Sequence, residues 1–220
     1  MLLHHPSLTT DSWTIYIKAT VLVSRVRSFN ARHRIQRKLR RLDPAIVPTQ
    51  TEEFQSLDRT ISAFVQSIPR AFRHPVGATV DPLLYVALLL PHVAMIQLHD
   101  PHAQLDRPDD YSSAQLLSAA REILELVYKI SATTFDVIYL DHACGICWFM
   151  AGATIIRFIG VKIDAKDEEE VAVLTQELAP IKTLLSKLGE RTPMGLRKIT
   201  LLNELYDQVA RDGNQAVSEG

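Results

Sequence analysis

The sequence predicts an all-α protein, an irregular bundle of about seven helices. Three observations predict it. Apolar residues recur at spacings of three and four along most of the chain. Only eight glycines are present, and no alternating apolar and polar run is flanked by hairpin turns. Capping residues and prolines stand where the periodic segments begin.

The first helix is expected over 11–29, with Trp13, Ile17, Val21, Leu22 and Val26 as its apolar stripe. The second starts near Thr51, because Glu52 and Glu53 suit a first turn, and Pro69 ends it. Its stripe is Phe54, Leu57, Ile61, Phe64 and Ile68. The third starts at Asp81-Pro82, runs apolar on nearly all faces to Leu98, and closes at Asp100-Pro101. The fourth follows Asp109-Asp110 and reaches about Ile130 through Leu116, Ala120, Ile123, Leu124 and Val127. The fifth is expected from Thr133 or Thr134 to Phe158, with Gly160 as its stop. The sixth covers 167–188. Its Val171, Leu174, Leu178, Ile181, Leu185 and Leu188 form a coiled-coil-like seam that Pro180 should kink. The seventh begins at Thr192-Pro193 and carries Leu196, Ile199, Leu202, Leu205, Tyr206 and Val209. The expected organisation is a core over 1–160, a helical pair over 161–214 packing on it, and a tail over 215–220. Linkers are expected at 30–50, 70–80, 101–111 and 160–166.

Composition narrows the function classes. An apolar share of 47% is enough for a real core. A formal charge of −1 argues against general nucleic-acid binding by the whole chain. Two cysteines cannot build a disulfide framework and fit a reducing compartment. Residues 1–10 lack the pattern of a secretory signal. The apolar runs at 83–98 and 143–161 read as buried helices, so no membrane partner is expected.

Three local patterns are candidates for function. Arg25, Arg27, Arg32, Arg34, Arg37, Lys38, Arg40 and Arg41 follow one another with no acid among them. They read either as a solvated helix end and loop, or as a nuclear-localisation or phosphate-contacting segment. His92, His99 and His102 are weak metal or effector candidates; His99-Asp100-Pro101-His102 equally serves as helix-end punctuation. Cys144 and Cys147, in HACGICW, lack the second pair a zinc site needs. Placed about ten residues inside the expected fifth helix, they read as core. Asp109-Asp110 and Asp167-Glu168-Glu169-Glu170 precede helices, where negative charge is stabilising without any catalytic role. No phosphate loop, nucleophile elbow or HExxH motif occurs.

Further motifs carry a resemblance. Lys18-Ala19, Leu22 and Val26 precede the basic segment, and Phe54, Leu57-Asp58, Ile61, Phe64, Ser67 and Pro69 follow it. Then come LLLPHVAMIQLHDPHA at 88–103 and SAAREILELV. Over about residues 10–160 the chain resembles the C-terminal half of the fungal-specific transcription factor domain, the middle homology region. The resemblance implies a nuclear, non-enzymatic regulatory domain that controls transcription through a protein partner or a small-molecule effector. Such an effector would enter between the third and fifth helices. It also implies that zinc belongs to an upstream six-cysteine cluster, which this chain does not contain, as it does not contain the upstream half of the region. No cofactor is therefore expected here, and contact with DNA only indirectly. Missing upstream helices would leave an apolar face uncovered. A stand-alone module that homodimerises or modulates a complete factor is the alternative, motivated by the sixth-helix seam. A helical enzyme built on the same scaffold would use His92, His99, His102, His142 and the cysteines.

Overall fold

The computed structural model describes residues 2–6, 9–39 and 47–218, the last six by backbone alone. Among them the chain forms seven α-helices and no strand: α1 Ser12–Lys38, α2 Glu52–Ser67, α3 Pro82–His99, α4 Tyr111–Ser131, α5 His142–Asp164, α6 Glu168–Gly189 and α7 Pro193–Ser218. The all-α expectation holds. Short 3-10 turns lie at Pro48–Gln50, Arg70–Phe72, Asp100–His102 and Val137–Tyr139. The chain divides into two compact units, Met1–Ala103 and Gln104–Gly220. The boundary thus falls at 103/104 and not at 160/161, because α6 and α7 share their core with α5 and α4.

In the first unit α1 lies along α3, with α2 packed on both. Side chains fix the pairing at its two ends. Ser12 Oγ donates to Asp81 Oδ2 at 2.5 Å, and Asn30 Nδ2 donates to the Gln97 carbonyl at 2.7 Å. The two helices therefore run in the same direction. Asp11 caps α1 through the Thr14 amide at 2.7 Å, and Asp81 caps α3 through the Leu84 amide at 2.9 Å. The core joins Ile15, Ala19, Leu22, Val26 and Phe29 to Phe54, Ile61, Phe64, Tyr85, Leu89 and Leu98.

Two expectations for α1 are corrected. The helix does not end at Phe29; it continues through the first part of the expected linker to Lys38. Its buried stripe is also a different one. Leu22 and Val26 are buried as expected, but Trp13, Ile17 and Val21 are exposed. Ile15 and Ala19 take their place against α3. The first half of α1 is apolar on both sides, and only one side has a partner within its unit.

The second unit is built around α5, which contacts α4, α6 and α7. Three glycines let it come close. A Cβ at Gly145 would stand 2.8 Å from Leu188, at Gly152 3.0 Å from Leu202, and at Gly160 3.1 Å from Val209. Gly160 is therefore a contact point for α7 and not the expected helix stop. The helix instead ends at Asp164, and Lys166 adopts the left-handed conformation at φ 58°. Helix α6 is continuous through Pro180, and its seam residues Leu174, Leu178, Ile181, Leu185 and Leu188 are buried inside the unit. Helix α7 buries Ile199 and Leu202 but leaves Leu196 and Leu205 exposed, and its backbone stays helical through most of the expected tail.

Candidate functional site

The basic segment is one face of a helix. Arg25, Arg27, Arg32, Arg34, Arg37 and Lys38 all sit on α1 and all are exposed; Arg40 and Arg41 lie outside the described residues. Helix α1 carries seven cations and no acid from Ser12 to Lys38. Among the described residues only Arg32 of these forms an ion pair, with Glu53 of α2. That pair is exposed at both ends and contributes little to stability.

The same helix carries the most exposed apolar side chains of the first unit. Trp13 is 62% exposed and Ile17 57%, with Val21 one turn further on. At 100° per residue, Trp13, Ile17, Val21, Ser24, Ser28 and the exposed Ile35 and Leu39 fall within about 80° of arc, so the apolar stripe recurs at the far end of α1. Arg25 and Arg32 border that arc on one side, and Arg27 and Arg34 on the other. Sequence periodicity found these apolar residues but placed them inside. A shallow groove of about 410 Å³ borders α1, lined by Arg25, Glu52, Glu53, Ser56 and Leu57. Its mixed, open lining is a poor match for an apolar effector.

The histidines divide. His99 and His102 come together at the end of α3, and His33 of α1 joins them, a residue the sequence reading missed. The rings of His99 and His102 meet Phe54 edge-on at 5.1 Å and 5.5 Å, and His33 lies 5.9 Å from His102. His99 is fully buried, with Nε2 3.5 Å from Asp58 Oδ1. His102 Nε2 is buried without a hydrogen-bond partner among the described residues. Burial, followed by the neighbouring His33, His99 and Arg37, holds the His102 pKa below its ordinary value. His92 stands apart on α3, and desolvation pushes its pKa down to about 4. The cluster is aromatic and apolar in character. Among the described residues no group of three or more His, Cys, Asp or Glu is arranged to hold a metal. The third and fifth helices, between which an effector was expected to enter, belong to different units.

The cysteines need a correction in their placement. Helix α5 starts at His142, not near Thr133, because a 3-10 turn at Val137–Tyr139 and the Asp141 cap intervene. Cys144 is therefore in the first turn, the position where a helix dipole usually activates a thiol. Burial wins here. Both side chains are essentially inaccessible, desolvation pushes Cys147 up to about 12, and Cys144 is raised well above its ordinary value. The two thiols are core, as expected, for a reason other than mid-helix placement.

The acidic pairs act as caps. Asp110 accepts from the Ser113 amide at 2.7 Å and the Gln104 amide at 3.1 Å. Asp167 accepts from the Glu170 amide at 3.2 Å and from Lys162 Nζ at 3.0 Å.

Two helical stretches, Pro82–His102 and His142–Asp164, are long and apolar enough to cross a bilayer by composition, and most of their apolar windows are buried. No family model, curated protein or solved structure matches the chain.

Proposed function

We propose that the chain is a regulatory, non-enzymatic domain of the fungal transcription factor type, working in the nucleus through a protein partner. The ordered motifs of residues 18–103 support the family reading. The outer face of α1, where an exposed apolar stripe is bordered by exposed arginines, is the observation that supports partner binding. The same arginines suit recognition by the nuclear import machinery. The sixth-helix seam no longer supports a homodimer, because its residues are buried inside the second unit. The histidines and cysteines offer no nucleophile, base and orienting group in one place, so an enzyme reading has no geometry behind it.

The test is a fusion of the full chain to a heterologous DNA-binding domain. Reporter output should change relative to the DNA-binding domain alone. Unchanged output in a nucleus that supplies candidate partners would remove this reading.

A further inference from the structure

We infer that His102 is a proton-operated latch: neutral, it holds the C-terminal end of α1 against the rest of the first unit, and a proton on it releases that end. The inference goes beyond the partner-binding reading and does not depend on it. It stands on where the contacts of α1 stop. The helix is anchored along α3 as far as Asn30, which donates to the Gln97 carbonyl at 2.7 Å. Further on, every side chain from Arg34 to Leu39 is exposed. What remains is the half-buried Ala31, the exposed Arg32–Glu53 pair, and His33. An exposed pair holds little. His33 is therefore the last packed side chain of the helix. Its ring stacks on Phe29 at 6.0 Å and meets His102 edge-on at 5.9 Å. His102 in turn stands edge-on to Phe54 at 5.5 Å, so one imidazole joins the end of α1 to the start of α2.

The joint suits a neutral imidazole and not a charged one. His102 faces His33 and Arg37 of α1, Phe54 of α2 and His99 of α3. Arg37 is always charged, and an imidazole that takes a proton adds the same sign. The carboxylates of the region stand elsewhere. Asp58 is 3.5 Å from His99 Nε2, Glu53 pairs with Arg32, and Asp100, on the same turn as His102, is exposed. His102 Nε2 is buried without a hydrogen-bond partner among the described residues. A proton makes both ring nitrogens donors, so this buried atom would donate where no acceptor stands. Burial, and then His33, His99 and Arg37, hold the His102 pKa below its ordinary value. The released state therefore binds the proton more readily, and acid favours release, with the change centred below pH ~6.5. The stretch set free is shorter than the roughly 12–15 residues a lone helix needs, so it frays. It carries Arg32, Arg34, Arg37 and Lys38, and acid uncouples these cations from the Trp13–Val21 part of the face.

The test places a nitroxide on Gln36→Cys in the full chain. Gln36 is exposed and both native cysteines are buried, so the new thiol takes the label. Electron paramagnetic resonance then reads the mobility of the end of α1. A second probe at Gln66→Cys, exposed on α2, reads the rest of the unit. From about pH 7.5 to about pH 5 the mobile fraction at position 36 should rise roughly threefold or more, with position 66 unchanged. His102→Phe keeps a ring in the joint and cannot take a proton; His102→Leu is a second neutral substitution. Both should hold the end of α1 fixed at both pH values. His92→Leu should leave the response in place, because His92 stands apart from the joint. A wild-type spectrum that does not change with pH, an undiminished response in both His102 variants, or equal loosening at position 66 would overturn the inference. So would loss of the response in His92→Leu. Reporter output from the fusion reads partner binding separately, so either reading can fail without the other.

Discussion

The two tryptophans summarise the difference between the two units. Trp148, on α5, is fully buried among helices that surround it; Trp13, on α1, is 62% exposed. Both lie on helices rich in apolar residues. Helix α5 spends its apolar surface on three neighbours and brings them close through glycines. Helix α1 has α3 and α2 on one side and, on the other, an apolar stripe next to arginines. A closed unit and an open one follow from the number of partners each central helix has, not from its hydrophobicity.

Substitutions probe the contrast directly. Trp148→Ala should destabilise the second unit by about 3–5 kcal/mol, seen as a lower denaturant midpoint. Acid should act mainly on the first unit. The folded-state pKa of His92 lies near 4, below the ordinary 6.5, so the unfolded chain binds the extra proton more readily. Stability from this group is fully present above pH 6.5 and is lost as pH falls towards 4, a change on the order of 3 kcal/mol. His102, lowered by burial and by the neighbouring His33, His99 and Arg37, shifts in the same direction. His92→Leu should flatten the pH dependence of unfolding between 6.5 and 4; an unchanged slope would contradict the assignment.

Gly195→Ala comes next. Its Cβ would stand 2.6 Å from the backbone of Gly189 and Leu188 at the α6–α7 turn, so a loss of about 1–3 kcal/mol is expected from thermal unfolding. Trp13→Ala should change stability by less than about 0.5 kcal/mol, which marks its side chain as idle in folding. Thiol labelling offers a kinetic version of the same contrast. Cys144 and Cys147 should react only at the rate at which the second unit opens, and rapid labelling of the folded chain would break the picture of a closed core.

Much of the fold is legible in the sequence. Asp81-Pro82, Asp110, Asp167 and Thr192-Pro193 mark helix starts through chemistry that acts over three or four residues. Errors arise where a longer-range contact decides. Trp13, Ile17 and Val21 have the same period as Ile15, Ala19, Leu22 and Val26, and nothing local says which side α3 will cover. The start of α5 is a local exception: Val137 and Leu140 keep helical spacing with Cys144, while the 3-10 turn and the Asp141 cap are set by hydrogen bonds over two residues. Gly160 looks like a stop until Val209 is seen against it. For the candidate surface, the arginines were legible as a run and the apolar residues as a stripe. Their union on one exposed face was not, because it depends on α1 continuing past Phe29 and on which stripe is buried. His33 joins His99 and His102 only through that same continuation.

The most direct measurement is reporter output from the full chain fused to a heterologous DNA-binding domain, compared with the same fusion carrying Trp13→Ser, Ile17→Ser and Val21→Ser. At equal protein level and equal helicity, the variant should lose the effect of the domain on transcription. Full retention of that effect would contradict the claim that the open face of α1 is the working surface of this protein.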